Sequence, residues 1–467
     1  MDLASRALAA AVAAYNRVIH EAMHQPFPPM HTRRAEGQIL TLPPELLRQV
    51  LEDFRSSEEV ETLGKDWVLE QSFLASLCLV CKSFRSTAEQ LLYRQVHLVD
   101  CPPCDPRFLS FLKTTICRPE LRKMLRRANL EIDSDMDDED NRVPTADVEL
   151  IKTSAQELGI TIRCVKRLHL SLPGQYDNAD IQTNQHPGRK PLFFNFACPG
   201  SEEHGEIFFF PNLTHISISL SADPPSSGPP FDFADFEELS GIAPRLLKIH
   251  YDTGIFRTIE PINVVSLESL HLTNTNLLEG DAGKLMGSIR DLKKFHYAAG
   301  DRYLARAQSE LVRPDELCTA LERHCHSLEE LSLDFWPDDD QPNMDQLLES
   351  LEKFKELKRL IVHYKDFAYS GMEDEFSSFI TTLPRSLEAI YICGWGIALS
   401  ETMNWLIRAV KQGDFESLAT VTIGCPASEA DPLVHFLQGA LHALRETKLR
   451  INVAIHYNFC DGNHWAL

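Results

Sequence analysis

The order His20-Glu21-Ala22-Met23-His24 is the one in which two imidazoles a helical turn apart hold zinc and the carboxylate between them acts as general base. Pro26 follows almost at once and would break the helix that has to carry both ligands. No sheet-forming segment precedes the pair to build a substrate cleft, so the stretch reads as part of an alanine-rich helix rather than a zinc hydrolase. Cys78 and Cys81, followed by Cys101 and Cys104, come close to a zinc-ribbon spacing. Leu79 and Val80 continue a helix between the first two thiols, and apolar burial is the common state of free Cys. Pro102 and Pro103 take backbone donors away from the second pair. Cys318, His324, Cys325 and His326 lie together, but consecutive side chains on a helix point about 100 degrees apart and do not converge on one ion. The acidic run from Glu131 to Asn141 fails the calcium-loop pattern: Asp138 stands where the sixth position needs Gly, and Pro144 where the twelfth needs Glu. The chain contains no phosphate-binding glycine loop and no nucleophile elbow, so the sequence makes no case for an enzyme, a metal or a cofactor.

The elements that would position a site divide the chain into three parts. Residues 1–34 form an alanine-rich helix and a proline-containing linker, residues 35–98 a small helical domain, and residues 99–467 a repeat array. In the array the pattern L-x-x-[apolar]-x-[apolar] recurs nine times, led by Val165, Leu213, Leu246, Leu267, Leu292, Leu328, Leu357, Leu387 and Leu418. The last four leads stand 29, 30 and 31 residues apart. Amphipathic helical stretches such as MDQLLESLEKF, EDEFSSFITTL and SETMNWLIRAV lie between the anchors. A strand and helix of this length cannot bury their apolar faces alone; stacked in parallel, with right-handed crossovers, they cover one another. The predicted fold class is therefore α/β, a small N-terminal helical block followed by a right-handed α/β solenoid. The breaker-rich stretches at 174–190 and 221–233 read as loops.

Strand alternation turns the residue between the last two anchors away from the interior, onto the concave face of such a solenoid. Along the chain that position holds His169, Ser217, His250, His271, His296, Ser332, Ile361, Tyr391 and Thr422. His250, His271 and His296 come from three successive units, so their rings are predicted to stack at the strand spacing of about 4.8 Å. With Tyr391 they are the candidate substrate contacts. Protonation of the ladder below about pH 6 would set like charges side by side.

Against 46 basic residues stand 68 acidic ones, a net charge of −22. That balance repels phosphate backbones and acidic membrane surfaces, which argues against nucleic-acid and membrane partners and fits basic protein partners. No run reaches the roughly 18 to 20 apolar residues that span a bilayer. Twelve cysteines without a disulfide-like framework suit a reducing compartment, the cytoplasm, the nucleus or both.

In the helical domain, Pro43 and Pro44 suit a first helical turn, and Leu46, Leu47, Val50, Leu51 and Phe54 fall on one face. A second helical stripe runs through Leu77, Val80, Cys81, Phe84, Ala88, Leu91 and Leu92. LPPELLRQVL, then LASLCLVCKSFRSTAEQLLYRQVHL, resembles the F-box, particularly the fungal form that leads into a solenoid. The anchors downstream resemble the leucine-rich repeat, although the Asn or Cys that usually follows at the turn is mostly missing; Leu272-Thr273-Asn274 comes closest. The stretch RSSEEVETLGKDWVLEQ separates the two F-box halves more widely than the compact family pattern does.

The resemblance implies a contact with a Skp-family adaptor and, through it, a cullin and a RING ubiquitin ligase. By position it makes Leu42, Pro43, Pro44, Leu46, Val50, Leu51, Leu77, Val80 and Phe84 the adaptor-binding candidates. The function it implies is that of a non-catalytic substrate-recognition subunit of an SCF-type ubiquitin-protein ligase, holding a protein substrate on the solenoid. The alternative is a leucine-rich-repeat scaffold without a ligase role, its helical domain serving only as a cap.

Overall fold

The computed structural model describes residues 43–52, 65–80, 82–98, 111, 114–115, 117–131, 165–173, 210–221, 231–232, 243–257, 266–300, 311–335, 351–363, 380–393, 397–426 and 449–456. The sequence readings at His20, Glu21 and His24, at Leu42, at Cys81, at Cys101 and Cys104, and along Ile132 to Asn141 lie outside those residues. The chain forms two units that divide after Gln95.

The first unit contains helices α1 (Pro44–Glu52), α2 (Lys65–Val80) and α3 (Lys82–Leu92). Pro43 sets the start of α1, its carbonyl accepting the Leu47 N–H at 3.0 Å. Leu47 and Leu51 of α1, Leu74 of α2 and Phe84, Ala88 and Leu91 of α3 form one core, against which Leu77 and Cys78 are half-buried. The sequence predicts one stripe running through Leu77 to Leu92, but the chain ends one helix at Val80 and begins another at Lys82. A straight helix would hold both apolar runs on one side. Turning between them lets α2 and α3 bury each other while α3 also meets α1.

The second unit is a repeat sheet. Among the described residues thirteen strands share it, twelve in one path: β1 (Gln95–Leu98), β2 (Arg127–Glu131), β3 (Arg167–Pro173), β4 (His215–Ser221), β6 (Lys248–Arg257), β7 (Ser269–Leu277), β8 (Lys294–Ala299), β9 (Glu330–Asp334), β10 (Arg359–His363), β11 (Ala389–Cys393), β12 (Thr420–Pro426) and β13 (Arg450–His456). The short β5 (Phe231–Asp232) pairs with β6 off that path, so a stretch predicted as loop adds a two-residue strand. Likewise Gln95–Leu98, predicted inside the helical domain, is extended, as its V-x-L alternation suits. Neighbours from β2 to β13 run parallel in sequence order, which requires a crossover after each strand and makes the fold an α/β solenoid.

Every anchor of the nine predicted units is buried, none more than 4% exposed. They join Leu285 and Met286 of α4 (Asp281–Ser288), Leu317 and Leu321 of α5 (Pro314–Leu321), and Met403, Leu406 and Ile407 of α6 (Ile397–Gln412) in one core. A serine before the leading anchor ties successive units together. Ser266, Ser327 and Ser386 donate to the carbonyls of Leu246, Leu292 and Leu357, the leading anchors one unit back, at 2.8, 2.9 and 2.8 Å. The recurring Ser-Leu pair is thus part of the repeat. Between Leu272 and Thr275 the register shifts, with Asn274 at φ 48° and its side chain donating to Asp252 at 3.0 Å.

Candidate functional site

Anchors alternate along each strand with residues on the other face of the sheet, and parallel pairing turns that alternation into rows. The first row reads Asn129, His169, Ser217, His250, His271, His296, Ser332, Ile361, Tyr391, Thr422 and Asn452, each in register with the next. It contains the nine residues predicted for this face in the predicted order, and Asn129 and Asn452 extend it at both ends. Tyr391 lies in this row, half-buried, two strands beyond Ser332.

The histidines form a partial stack. His271 and His296 lie face to face with centroids 4.1 Å apart and planes at 13°, whereas His250 meets His271 edge-on at 6.0 Å and 63°. Hydrogen bonding turns the first ring. Thr273 donates its single hydroxyl proton to Asp252 Oδ1 at 2.9 Å, so its oxygen accepts from His250 Nε2 at 2.9 Å. In the neutral ring Nδ1 is then the acceptor, 3.3 Å from the Ser217 hydroxyl. Ser217, His250, Thr273 and Asp252 thus form a polar relay that fixes one tautomer.

Burial pushes the His271 ring well below its ordinary value; His296 and His250 act in the same direction and Glu330 opposes them. The middle ring of the ladder is therefore harder to protonate than an exposed imidazole, which opposes the charging that the sequence predicts.

A second row lies on the same face, and no sequence expectation above includes it. It reads Arg127, Arg167, His215, Lys248, Ser269, Lys294, Glu330, Arg359, Ala389, Thr420 and Arg450. Its sequence signal is the residue just before each middle anchor, as in KRLHL, LKIHY, KKFHY and KRLIV. Glu330 lies buried in it with Lys294 Nζ at 2.8 Å, His296 Nε2 at 3.1 Å and Arg359 Nη2 at 2.6 Å. Two are close cation contacts and the third a close imidazole contact, rather than well-aligned hydrogen bonds. Burial alone would raise the Glu330 pKa; the short contacts from His296 and Lys294 outweigh it and hold the group down at about 2.

Of the adaptor-binding candidates, Pro43 and Leu46 are exposed, Leu77 is half-buried, and Leu51 and Phe84 belong to the core behind them. Pro44, Val50 and Val80 lie in helices α1 and α2; their side chains and Leu42 are outside the described residues. Leu79, not among the candidates, is the most exposed large apolar side chain described, at 88%.

Cys78 sits inside α2, its thiol pushed up by burial and by Glu89. His324 is buried, and its Nε2–H donates to the Met286 carbonyl at 3.1 Å, while Cys325 is half-buried and His326 exposed, so the three diverge as helical geometry predicts. Among the described residues no three His, Cys, Asp or Glu side chains are grouped to hold a metal ion. No helix described is long and apolar enough to cross a membrane.

No family model matches the chain, and no curated protein matches it. Among solved structures, the leucine-rich repeat-containing protein LegL7 from Legionella pneumophila is similar over 77% of this chain and 90% of that one, at 11% identity and a TM-score of 0.38. Strand order, register and the buried anchors identify the solenoid independently of that likeness.

Proposed function

We propose that this chain is a repeat-based binding protein that recruits rather than reacts: the substrate receptor of an SCF-type ubiquitin ligase. Its helical block docks a Skp-family adaptor, and through it a cullin, while the sheet face holds a protein substrate. The reaction takes place on other subunits; the contribution of this chain is to raise the concentration of a substrate lysine near the charged ubiquitin carrier. The observation that carries the adaptor half is the pair of bare leucines in the block. Leu46 is 49% exposed and Leu79 88%, although the same three helices bury Leu47, Leu51, Leu74 and Leu91 almost completely. Large apolar side chains left in water beside a packed core suit a partner surface, and Leu46 belongs to the half-motif that resembles the F-box.

Pro43→Ala with Leu46→Asp tests the proposal on positions that water already reaches, so the core of the block is spared. The double variant is expected to lose co-purification of a Skp-family adaptor while its urea unfolding midpoint stays within error of the parent. Capture of the adaptor at the parent level overturns the ligase role and leaves the scaffold reading.

A further inference from the structure

The cation row stands against the charge of the chain. The whole sequence carries −22. On the sheet face, six cations (Arg127, Arg167, Lys248, Lys294, Arg359 and Arg450) occupy one line of register positions with a single carboxylate, Glu330. That carboxylate is already met by Lys294, Arg359 and His296. The flanking row just before the strands is balanced instead: Lys293 pairs with Glu268 at 2.8 Å, and Lys358 with Glu329 at 3.0 Å. Positive charge is therefore concentrated along one track.

Four of the six cations are evenly spaced, while Arg127 stands on the strand beside Arg167 and Arg450 three strands beyond Arg359. In strand order Arg167, Lys248, Lys294 and Arg359 fall on every second strand, with His215, Ser269 and Glu330 between them. At about 4.8 Å per strand, successive cations are rooted about 9.6 Å apart. A polyproline II peptide rises about 3.1 Å per residue and returns to the same side every third residue, about 9.3 Å on. Over the three intervals the two periods drift by about 1 Å, within the reach of a lysine or arginine side chain. A β-strand, which repeats its side at about 6.8 Å, would lose register by the second cation.

We propose that this row docks an extended acidic peptide of the protein partner, lying across the strands with a carboxylate at every third residue. The inference rests on reading the sheet face as the substrate-binding face and adds the chemistry of what binds there. It does not depend on the adaptor contact, which lies in the other unit.

The test uses the full chain and fluorescence anisotropy with a labelled Pro-rich peptide of about 12 residues carrying Glu at every third position. Its Gln counterpart and a peptide with Glu at every second position are the ligand controls. The every-third-Glu peptide is expected to bind best. Lys248→Gln with Arg359→Gln should weaken it about tenfold. The same number of charges removed off the face, Lys355→Gln with Lys411→Gln, should leave affinity unchanged. Because a weakened variant could simply be misfolded, a second variant asks for a gain: Glu330→Gln frees Lys294 and Arg359 and should tighten binding about threefold or more.

Equal binding of the every-second-Glu peptide overturns the spacing. Equal weakening by the off-face variant, or no gain from Glu330→Gln, overturns the track. Tighter binding of a single-stranded oligonucleotide of the same charge assigns the row to phosphate and overturns the peptide. Another occupant to exclude is the acidic run of this chain itself. If the peptide binds only after Asp133, Asp135, Asp137, Asp138 and Asp140 are changed to Asn, the run fills the row and the partner peptide is overturned. Loss of peptide binding with adaptor capture retained sinks this inference alone, while loss of adaptor capture with peptide binding retained sinks the ligase role alone.

Discussion

Replacing Glu330 by Gln removes the carboxylate on which Lys294, His296 and Arg359 converge and keeps its shape. In the folded chain the group is held at about 2 against an ordinary 4.5. That difference, at about 1.4 kcal/mol per unit, corresponds to about 3 kcal/mol at neutral pH. The Glu330 side chain is only 10% exposed, so little of this is lost to solvent at its own end, but Arg359 is 55% exposed and its share is screened. The figure of about 3 kcal/mol is therefore a ceiling.

The sign follows from the depressed value. The stabilisation is fully present above the unfolded value near 4.5 and is lost as pH falls through it toward 2. Urea unfolding of the parent and of Glu330→Gln at matched ionic strength reads this directly, since other carboxylates titrate equally in both and cancel in the difference. The gap should approach about 3 kcal/mol at about pH 6 and shrink below about 1 kcal/mol at about pH 2.5. A gap of the same size at both pH values would assign the loss to packing and refute the electrostatic account.

Ring proton resonances of His271 should stay flat between about pH 5.5 and 8, because burial and two neighbouring imidazoles keep it neutral; a midpoint inside that window would refute this. The same depressed value makes the unfolded chain take up a proton first, so this site lowers stability as pH falls below 6.5. Gly300→Ala should cost about 1–3 kcal/mol by urea unfolding, because an added Cβ would stand 2.5 Å from the Asn274 carbonyl oxygen at the register shift. Gly283→Ala has the opposite sign: its Cβ would meet nothing within 4 Å on a helix, and it should stabilise by about 0.5–1 kcal/mol.

What could be read from the sequence was whatever one repeat writes into itself. Leu267, Leu270 and Leu272 declare their strand because burial of three positions at fixed spacing leaves a local pattern, and all three are fully buried. Strands toward the two ends of the sheet break that pattern. Ala128 is the middle anchor of β2, too small to register as one, and in β13 the position three before Ile451 is Lys448. The ring geometry was not legible for a different reason. His250 is turned by Ser217, 33 residues before it, and by Thr273, 23 after it, so its orientation depends on which units become neighbours. The cation row escaped because it too exists only across units, and because net charge, summed over the chain, hides where opposite signs are sorted.

That sorting bears on how an acidic partner can approach a chain of charge −22 at all. At physiological ionic strength the screening length is about 8 Å, so the ligand does not feel the sum; it feels the charges it nearly touches. From Arg167 to Arg359 the cations of the row are rooted about 9.6 Å apart, farther than that length, and each of these four therefore acts on its own carboxylate rather than as part of a diffuse field. Contact spacing becomes the selective quantity. A peptide of the same net charge with its carboxylates bunched can satisfy one or two cations and leaves the rest to water, while its surplus charge meets the acidic remainder of the chain. The long-range repulsion slows encounters with every acidic molecule alike, and the period of the row decides which of them stays.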